Sequence, residues 1–320
     1  MNHWLTTFLI FLPVVGALLV WLTPFSKHMA GAIATLVALL EVALWVIAVE
    51  RFDFGSGNLQ YEQQHTWFRE IGSSYHVGQF GFSLWLIGLT VIAGAAATAY
   101  AWWAGRERAR AYFGLMLFLT GSVVGVFAAQ DLLLFYAFFE AMLIPLYVLI
   151  GVWGGAGRLS ATIKFVVYTV AGSLLMLAAI IVYGIQQGTF DLTHAMASGN
   201  RWLFLGFAIA FAVKAPLFPF HGWLPDAYRE SPPEMAALLS GVISKAAAYG
   251  FLRIAIAQFP EPAHHFRTLI LALAAAGLVY GSLLAFRAPD IRGVIAYSSL
   301  GQMGLITLGL FATNALGDRS

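Results

Sequence analysis

Long apolar runs are the feature of this sequence that most restricts its fold. Ten segments of about 20 mostly apolar residues, the length that crosses a bilayer core as a helix, follow one another along 320 residues. Lipid offers no hydrogen-bonding partner to backbone amides and carbonyls. Such segments therefore form helices or a closed barrel, in which these groups bond to one another. Barrel strands alternate apolar and polar residues over about ten positions, whereas these runs are longer and continuous. We therefore predict an all-α, polytopic membrane helix bundle. The predicted spans are 4–23, 29–49, 79–103, 111–129, 132–152, 161–185, 201–220, 235–257, 267–286 and 293–313.

Composition excludes several other classes of protein. Sixty per cent of the residues are hydrophobic and ten per cent are charged, against about 25% charged residues in soluble domains. The absence of cysteine excludes disulfides and cysteine-ligated iron–sulfur clusters, and no Walker, HExxH or GxGxxG pattern occurs. We therefore expect no cofactor and no metal in this chain. A formal net charge of +2 predicts no nucleic-acid partner.

The distribution of Lys and Arg predicts how the chain crosses the membrane. With the N-terminus outside, nine of these residues lie near cytoplasmic helix ends and six near outer ones, as the positive-inside rule favours. The segment from Trp4 to Thr23 lacks a basic start and a cleavage site, so it is interpreted as a spanning helix. The polar stretch from Arg51 to Val77 is predicted to be an extramembrane loop. We expect a single multi-pass domain, 1–320, in a bacterial inner membrane.

Ionisable residues inside the apolar runs are the strongest functional signal. Four occur: Glu41, Glu140, Lys214 and Lys245. Each costs about 2.5–3.5 kcal/mol at the centre of a membrane helix, so such residues face the bundle interior or a watery path. Glu41 has neither a proline nor a cluster of small residues beside it, and we expect it to face a polar seam without a transport role.

Prolines accompany two of the four. Pro145 comes five residues after Glu140, and its ring disfavours the regular helix there. Pro216 and Pro219 follow Lys214, so the helix should break over Lys214–Pro219. Broken helices expose backbone groups at membrane depth, and many transporters bind ions at such breaks.

One carboxylate and two lysines can pass protons. A carboxylate beside a buried lysine stabilises the charged lysine, and moving the carboxylate away releases a proton. The alternative is a buried ion pair of Glu140 with Lys214 that only fixes helix packing. That alternative explains Lys245 poorly, because Lys245 lies about ten positions from either end of its predicted helix. His221 follows the break and is a candidate proton shuttle, with a capping or hydrogen-bonding role as the alternative.

Four motifs occur in this order: FFEAMLIP at 138–145, KAPLFPFHGWLPDA at 214–227, GVISKAAAYG at 241–250 and DIRGVIAYSS at 290–299. Together they are similar to signatures of the antiporter-like membrane subunits of respiratory complex I and their relatives, and the run around Glu140 is most similar to the M-subunit branch. The resemblance implies inverted five-helix repeats, each with a broken helix: N-terminal helices 1–103, a first repeat 111–257 and the start of a second, 267–313.

The resemblance also implies function. Glu140 would tune Lys214, and Lys245 would pass protons onward, in a subunit that carries no redox cofactor and is coupled to quinone reduction elsewhere. Its partners would be the lipid bilayer and other membrane subunits, with quinone and NADH bound by other subunits. A sodium/proton antiporter or membrane-bound hydrogenase subunit, and a non-conducting fragment that lacks the second broken helix, remain alternatives. Tyr228 and Gln302 stand where the M branch usually has histidine.

Overall fold

Helices account for most of the chain in the computed structural model, which describes residues 3–312. Nine helices in that range are long and apolar enough to cross a membrane, by length and composition. The predicted all-α, polytopic membrane bundle is therefore confirmed. The helices in chain order are α1 Leu5–Leu22, α2 Lys27–Glu50, α3 Gly81–Ala104, α4 Ala109–Ala128, α5 Leu132–Ala141, α6 Leu143–Trp153, α7 Arg158–Gln187, α8 Arg201–Lys214, α9 Leu224–Glu230, α10 Pro233–Leu238, α11 Ser244–Gly250, α12 Pro260–Arg287 and α13 Ile291–Ala312.

Of the ten predicted spans, 201–220 has no counterpart among the nine helices of the described residues that are long enough to cross a membrane. Helix α8 ends at Lys214 after 14 residues, which is about 21 Å at 1.5 Å per residue and short of a bilayer core of about 30 Å. No α-helix resumes until α9 begins at Leu224. The predicted break is therefore confirmed, and it extends beyond Pro219.

Two further helices are interrupted. Met142 separates α5 from α6, three residues before Pro145, as the expected loosening of the helix beside Glu140 requires. The span Pro233–Ile256 contains π-helical stretches at Leu239–Ile243 and Phe251–Ile256. Nothing in the sequence analysis predicted these, and π-helical turns occur frequently at functional sites.

The polar stretch expected to be a loop contains a β-hairpin. Strand β1, Gln60–Phe68, pairs antiparallel with β2, Ser73–Gln79. A 3₁₀ turn joins them and ends at Gly72, whose φ of 71° is a left-handed conformation that glycine adopts without strain. The strands are mostly polar, so they lack the apolar alternation by which strands are recognised from sequence.

The described chain divides into two compact units. The sequence-based division at 103, 257 and 267 concerns internal repeats and stays a prediction. The first unit runs to Leu149 and includes Thr189–Thr193 and Pro233–Val242, and the second contains Ile150–Gly188, His194–Pro232 and the chain from Ile243 onward.

Helix α4 forms the core of the first unit. It packs against α1, α2, α3 and α5, and nearly all of its side chains are buried, as expected of a helix that is apolar on every side. Close packing depends on Gly121, where an added Cβ would lie 2.7 Å from the carbonyl oxygen of Ile10 on α1. Any larger side chain at Gly121 would push α1 away.

Helices α7, α8, α9, α11, α12 and α13 belong to the second unit. Helix α8 packs against α7 and α11, and α9 packs against α7 and α13. Helices α12 and α13 approach closely at Gly281, where an added Cβ would lie 2.7 Å from the amide nitrogen of Gly301. This arrangement surrounds the break after α8 with helices of its own unit.

Candidate functional site

Lys214 lies at the point where α8 ends. Its side chain is 2% exposed, so its amine is held among protein atoms and not at a membrane interface. Alanine and proline follow it immediately, and proline has no amide hydrogen to continue the helical ladder. A buried lysine at a helix break is the arrangement that the sequence predicted.

The backbone groups freed by the break have new partners within the second unit. The amide of Leu217 donates to the carbonyl of Ala212, 2.8 Å away. The carbonyl of Val213 accepts from the indole Nε1 of Trp223 at 2.9 Å. Buried backbone groups need such partners. Trp223 therefore stabilises the non-helical backbone that follows Lys214.

His221 lies inside the break against aromatic rings. Its ring stacks on Phe218 at 5.6 Å between centroids and meets Tyr280 edge-on at 5.3 Å. Its buried Nδ1 has no hydrogen-bonding partner among residues 3–312. The hydrogen-bonding alternative is thus not supported at Nδ1, while the role of His221 as a proton shuttle stays a prediction.

Lys245 is half-buried on α11, a short α-helical segment between the two π-helical stretches. Its neighbours Ser244, Ala246 and Ala247 are buried and small. Small side chains let adjacent helices come close, which explains how a lysine is accommodated here.

Helices α8 and α11 of the second unit carry the two lysines and pack against each other. The ring of Phe211, three residues before Lys214, lies directly on Gly250, and it contacts Phe251 with centroids 5.5 Å apart. Gly250 is five residues after Lys245, so each lysine lies within about one and a half turns of this contact. The structure therefore brings the helices of the two predicted lysines together.

Glu140 belongs to the first unit, on the last turn of α5. It is half-buried, and the helix stops at Met142, two residues later. The helix begins at Asp131, whose Oδ1 accepts the amides of Leu133 and Leu134 at 2.9 and 3.1 Å, a strong N-cap. The pairing of Glu140 with Lys214 stays a prediction.

Glu41 is fully buried in α2, and neither carboxyl oxygen has a hydrogen-bonding partner among residues 3–312. An ionised carboxylate without a partner is very unfavourable in such surroundings, so the neutral acid is the form that this position can hold. The polar seam expected around Glu41 is not seen at its carboxyl group.

Sequence reasoning missed a buried ion pair beside the connection between α3 and α4. Arg106 Nη2 lies 2.6 Å from Oε2 of Glu234, whose side chain is 1% exposed. The hydroxyl of Tyr112 donates to the other carboxyl oxygen of Glu234. The two charges are 128 positions apart in the sequence, so no local pattern could have indicated the pair.

A second missed cluster lies on the hairpin. The fully buried ring of His76 contacts Asp191 Oδ2 through Nδ1 at 3.0 Å and Glu62 Oε1 through Nε2 at 2.8 Å. Burial alone would lower the pKa of His76, but bonds and charges from Asp191 and Glu62 outweigh it, and the net pKa is raised. Burial would raise the pKa of Asp191, but bonds from His76 and Thr193 outweigh it, so this pKa is lowered.

Charged contacts in the second unit hold α9 in place. Lys164 Nζ lies 2.8 Å from Asp226 Oδ2, and Arg229 Nε lies 3.1 Å from Asp290 Oδ2. The amide of Gly293 and the guanidinium of Arg229 hold the pKa of Asp290 below its usual value. These contacts fix the segment that follows the break.

The two departures from the M-branch motifs occupy different surroundings. Tyr228 is buried, with its hydroxyl 3.4 Å from Oγ of Ser299 on α13. Gln302 is exposed. Tyr228 therefore has a packing role within the second unit, whereas nothing in the structure explains the glutamine.

Apolar spanning helices, a buried lysine at a broken helix and a second lysine between π-helical stretches define a polytopic membrane protein with a discontinuous helix, a feature that many transporters share. The profile of the family described as NADH:quinone oxidoreductase/Mrp antiporter, transmembrane, matches residues 129–318. That is more than half of the chain, and the chain belongs to this family.

Individual relatives are similar over nearly all of this chain. NADH-quinone oxidoreductase subunit M of Rickettsia prowazekii is 34% identical over 319 residues, 96% of this chain and 65% of the relative. NAD(P)H-quinone oxidoreductase chain 4 of Gloeobacter violaceus is 37% identical over 326 residues, 99% of this chain and 61% of the relative. A chain of respiratory complex I from Thermus thermophilus with bound NADH superposes with a TM-score of 0.85 at 34% identity, covering 96% of this chain and 64% of that one. This chain spans less than two thirds of each relative's length.

Proposed function

We propose that this chain belongs to a proton-translocating membrane subunit of an NADH:quinone oxidoreductase. The observation that carries the proposal is Lys214, a lysine that is 2% exposed at the end of a broken apolar helix. Ionisable residues within apolar membrane segments are costly and commonly mark ion or proton paths. Relatives named as subunit M that match 96% of this chain support the assignment.

The proposed relay uses four residues. Glu140 stabilises the charged form of Lys214, Lys214 exchanges its proton through water and His221, and Lys245 carries the proton onward. Support comes from the packing of α8 on α11 and from the position of His221 within the break. In this proposal the chain holds no redox centre, and NADH and quinone bind to other subunits.

Lysine variants test the relay in the complete complex. We expect Lys214→Ala and Lys245→Ala each to abolish proton translocation or uncouple it from NADH oxidation, measured as protons moved per electron in membrane vesicles. Lys27→Ala is the matched control, because Lys27 is an exposed lysine at the start of α2. Full stoichiometry in both buried-lysine variants would contradict the relay.

We also propose that the N-terminus lies on the outer side of a bacterial inner membrane, as the Lys and Arg distribution favours. Because the chain has no cysteine, a single-cysteine variant places one thiol of this chain at a chosen position, and labelling of the purified chain is compared with that of the cysteine-free parent. Asn58→Cys in the hairpin region and Glu107→Cys between α3 and α4 are both exposed sites. A membrane-impermeant thiol reagent added to intact cells should label only Asn58→Cys, and the reverse result would invert the topology.

A further inference from the structure

The cluster around His76 has a geometry that favours the doubly protonated form of the imidazole ring. Both ring nitrogens face carboxyl oxygens, Nδ1 that of Asp191 at 3.0 Å and Nε2 that of Glu62 at 2.8 Å. A neutral imidazole has a single N–H, so it would turn a lone pair towards one of these oxygens. The imidazolium ion donates to both, and such charge-assisted bonds are the stronger kind.

We propose that Glu62, His76 and Asp191 form a proton-binding site outside the membrane spans, and that its bound proton fastens the hairpin to residues 189–193, the segment that carries Asp191 and contacts the start of α5. The ligand is a proton carried by the imidazole. The two carboxylates contact opposite nitrogens of one ring, so they do not converge on a shared cation. The proposal is independent of the relay through Lys214.

The cluster joins three segments of the first unit. Its ring lies between β1, which supplies Glu62, and residues 189–193, which supply Asp191. The carbonyl of His76 accepts the amide of Gln130 at 2.8 Å, and the amide of Leu132 donates to the carbonyl of Phe190 at 2.9 Å. The residues directly before α5 are thus held between β2 and the segment that carries Asp191.

Other groups around the site set its response to pH. On the Asp191 side, Gln64 donates to Oδ2 at 2.9 Å, and the amide and hydroxyl of Thr193 donate to Oδ1 at 2.8 and 2.7 Å. These donors keep Asp191 ionised beside the ring. Glu62, whose side chain is 47% exposed, connects the buried ring with solvent, so the proton can exchange without unfolding of the hairpin.

Two further titratable groups beside β2, Asp131 and Tyr75, have hydrogen-bonding partners other than the His76 ring. From the start of α5, Asp131 faces the strand and accepts from Ser73 Oγ at 3.2 Å and the amide of Ser74 at 2.9 Å. Burial raises the pKa of Asp131 despite these donors. From α1, the strand meets Thr7, whose hydroxyl lies 2.8 Å from that of Tyr75, and burial raises the pKa of that phenol.

The protonation state is tested directly in the wild-type chain. Solid-state nuclear magnetic resonance of ¹⁵N-labelled histidine in membranes at neutral pH should show one imidazolium with both nitrogens protonated and strongly hydrogen-bonded. That signal should be absent from His76→Gln and present in His65→Gln, an exposed histidine on the same hairpin. A neutral ring at His76 would overturn the proposal.

Amide hydrogen exchange tests whether the proton on His76 holds the hairpin against its neighbouring segment. After correction for the intrinsic pH dependence of exchange, protection of residues 73–79 and 129–135 should fall in one step as pH rises and the ring loses its proton. Glu62→Gln should move that step to lower pH, whereas Glu70→Gln, an exposed glutamate in the same hairpin, should leave it in place. The proposal fails if Glu62→Gln causes no shift, or if the wild-type chain shows no step.

Discussion

Two ion-pair clusters, each with a buried carboxyl group, lie near opposite ends of α3, and a different cation neutralises the carboxylates in each. Before the helix, Asp191 and Glu62 bind the imidazole of His76. After it, Glu234 binds the guanidinium of Arg106. Arginine stays charged at every physiological pH, whereas histidine changes charge near neutrality. Within the first unit, the contacts of the His76 cluster therefore depend on pH, whereas the contact between Arg106 and Glu234 does not.

Glu41 provides a third comparison within the same unit. Its carboxyl is as buried as that of Glu234, yet no described residue donates a hydrogen bond to it. Paired charges retain ionisation in a bundle, while an unpaired acid must be neutral.

Glu234→Gln should have the largest effect on stability. Removing the carboxylate leaves the partly buried guanidinium of Arg106 without its counter-charge and weakens the bond from Tyr112. Breaking a buried pair costs about 3–5 kcal/mol, and we expect the lower end because the Arg106 side chain is 20% exposed. The thermal unfolding midpoint of the purified protein measures the loss, which should be the same from mildly acidic to mildly alkaline pH. Glu107→Gln, an exposed neighbour, should unfold like the wild type.

His76→Gln should destabilise the protein by about 2 kcal/mol at neutral pH, because it removes two hydrogen bonds between charged groups. A raised pKa in the folded state stabilises the fold fully below the unfolded pKa, and this contribution disappears as pH rises through the folded pKa. The difference in unfolding midpoint between variant and wild type should therefore shrink on the alkaline side. A pH-independent difference would make this cluster equivalent to the arginine cluster and remove the comparison.

Glu41→Leu should stabilise the protein modestly, by about 1 kcal/mol, since it replaces a buried polar group that lacks partners with an apolar one. Glu41→Gln should change little, because it exchanges one neutral polar group for another. Infrared spectroscopy of the wild type should contain the carbonyl band of a protonated acid that Glu41→Gln lacks. Strong destabilisation in both variants would indicate that the carboxylate is ionised and paired.

Lys164 and Asp226 should give the smallest effect. Their side chains are 42% and 46% exposed, and exposed ion pairs contribute about 0–1 kcal/mol. A double-mutant cycle of Lys164→Gln and Asp226→Asn, followed by unfolding midpoints at low and high salt, isolates the coupling. A coupling above that range, insensitive to salt, would place this pair with the buried clusters.

The sequence predicts local features of this molecule well. Proline cannot continue a helical ladder, so the break after Lys214 follows from Pro216 and Pro219 alone, and the helices follow from apolar length. Lys245 is predicted to be functional because an ionisable residue deep in an apolar run is costly in a membrane and commonly has a functional role. Each of these inferences uses neighbours within a few positions.

Features that depend on distant partners were not predictable. His76 meets Asp191 across 115 positions, and each residue lies in a polar stretch where charged side chains are ordinary. The hairpin itself was missed because its strands are polar and show no alternating pattern. The close approach of α1 to α4 likewise joins distant residues, because an added Cβ at Gly121 would lie 2.7 Å from the carbonyl oxygen of Ile10. The action of Glu140 on Lys214 stays a prediction.

The π-helical stretches on either side of Lys245 change the directions in which side chains point around the axis of that helix. An i→i+5 turn holds one more residue than an α-turn, and one residue corresponds to about 100° of rotation at 3.6 residues per turn. Side chains before Leu239, those around Lys245 and those after Ile256 therefore follow three different helical phases. Only residues that a wide turn passes over change phase, so the first stretch would have to migrate beyond Lys245 to turn its amine to a new direction.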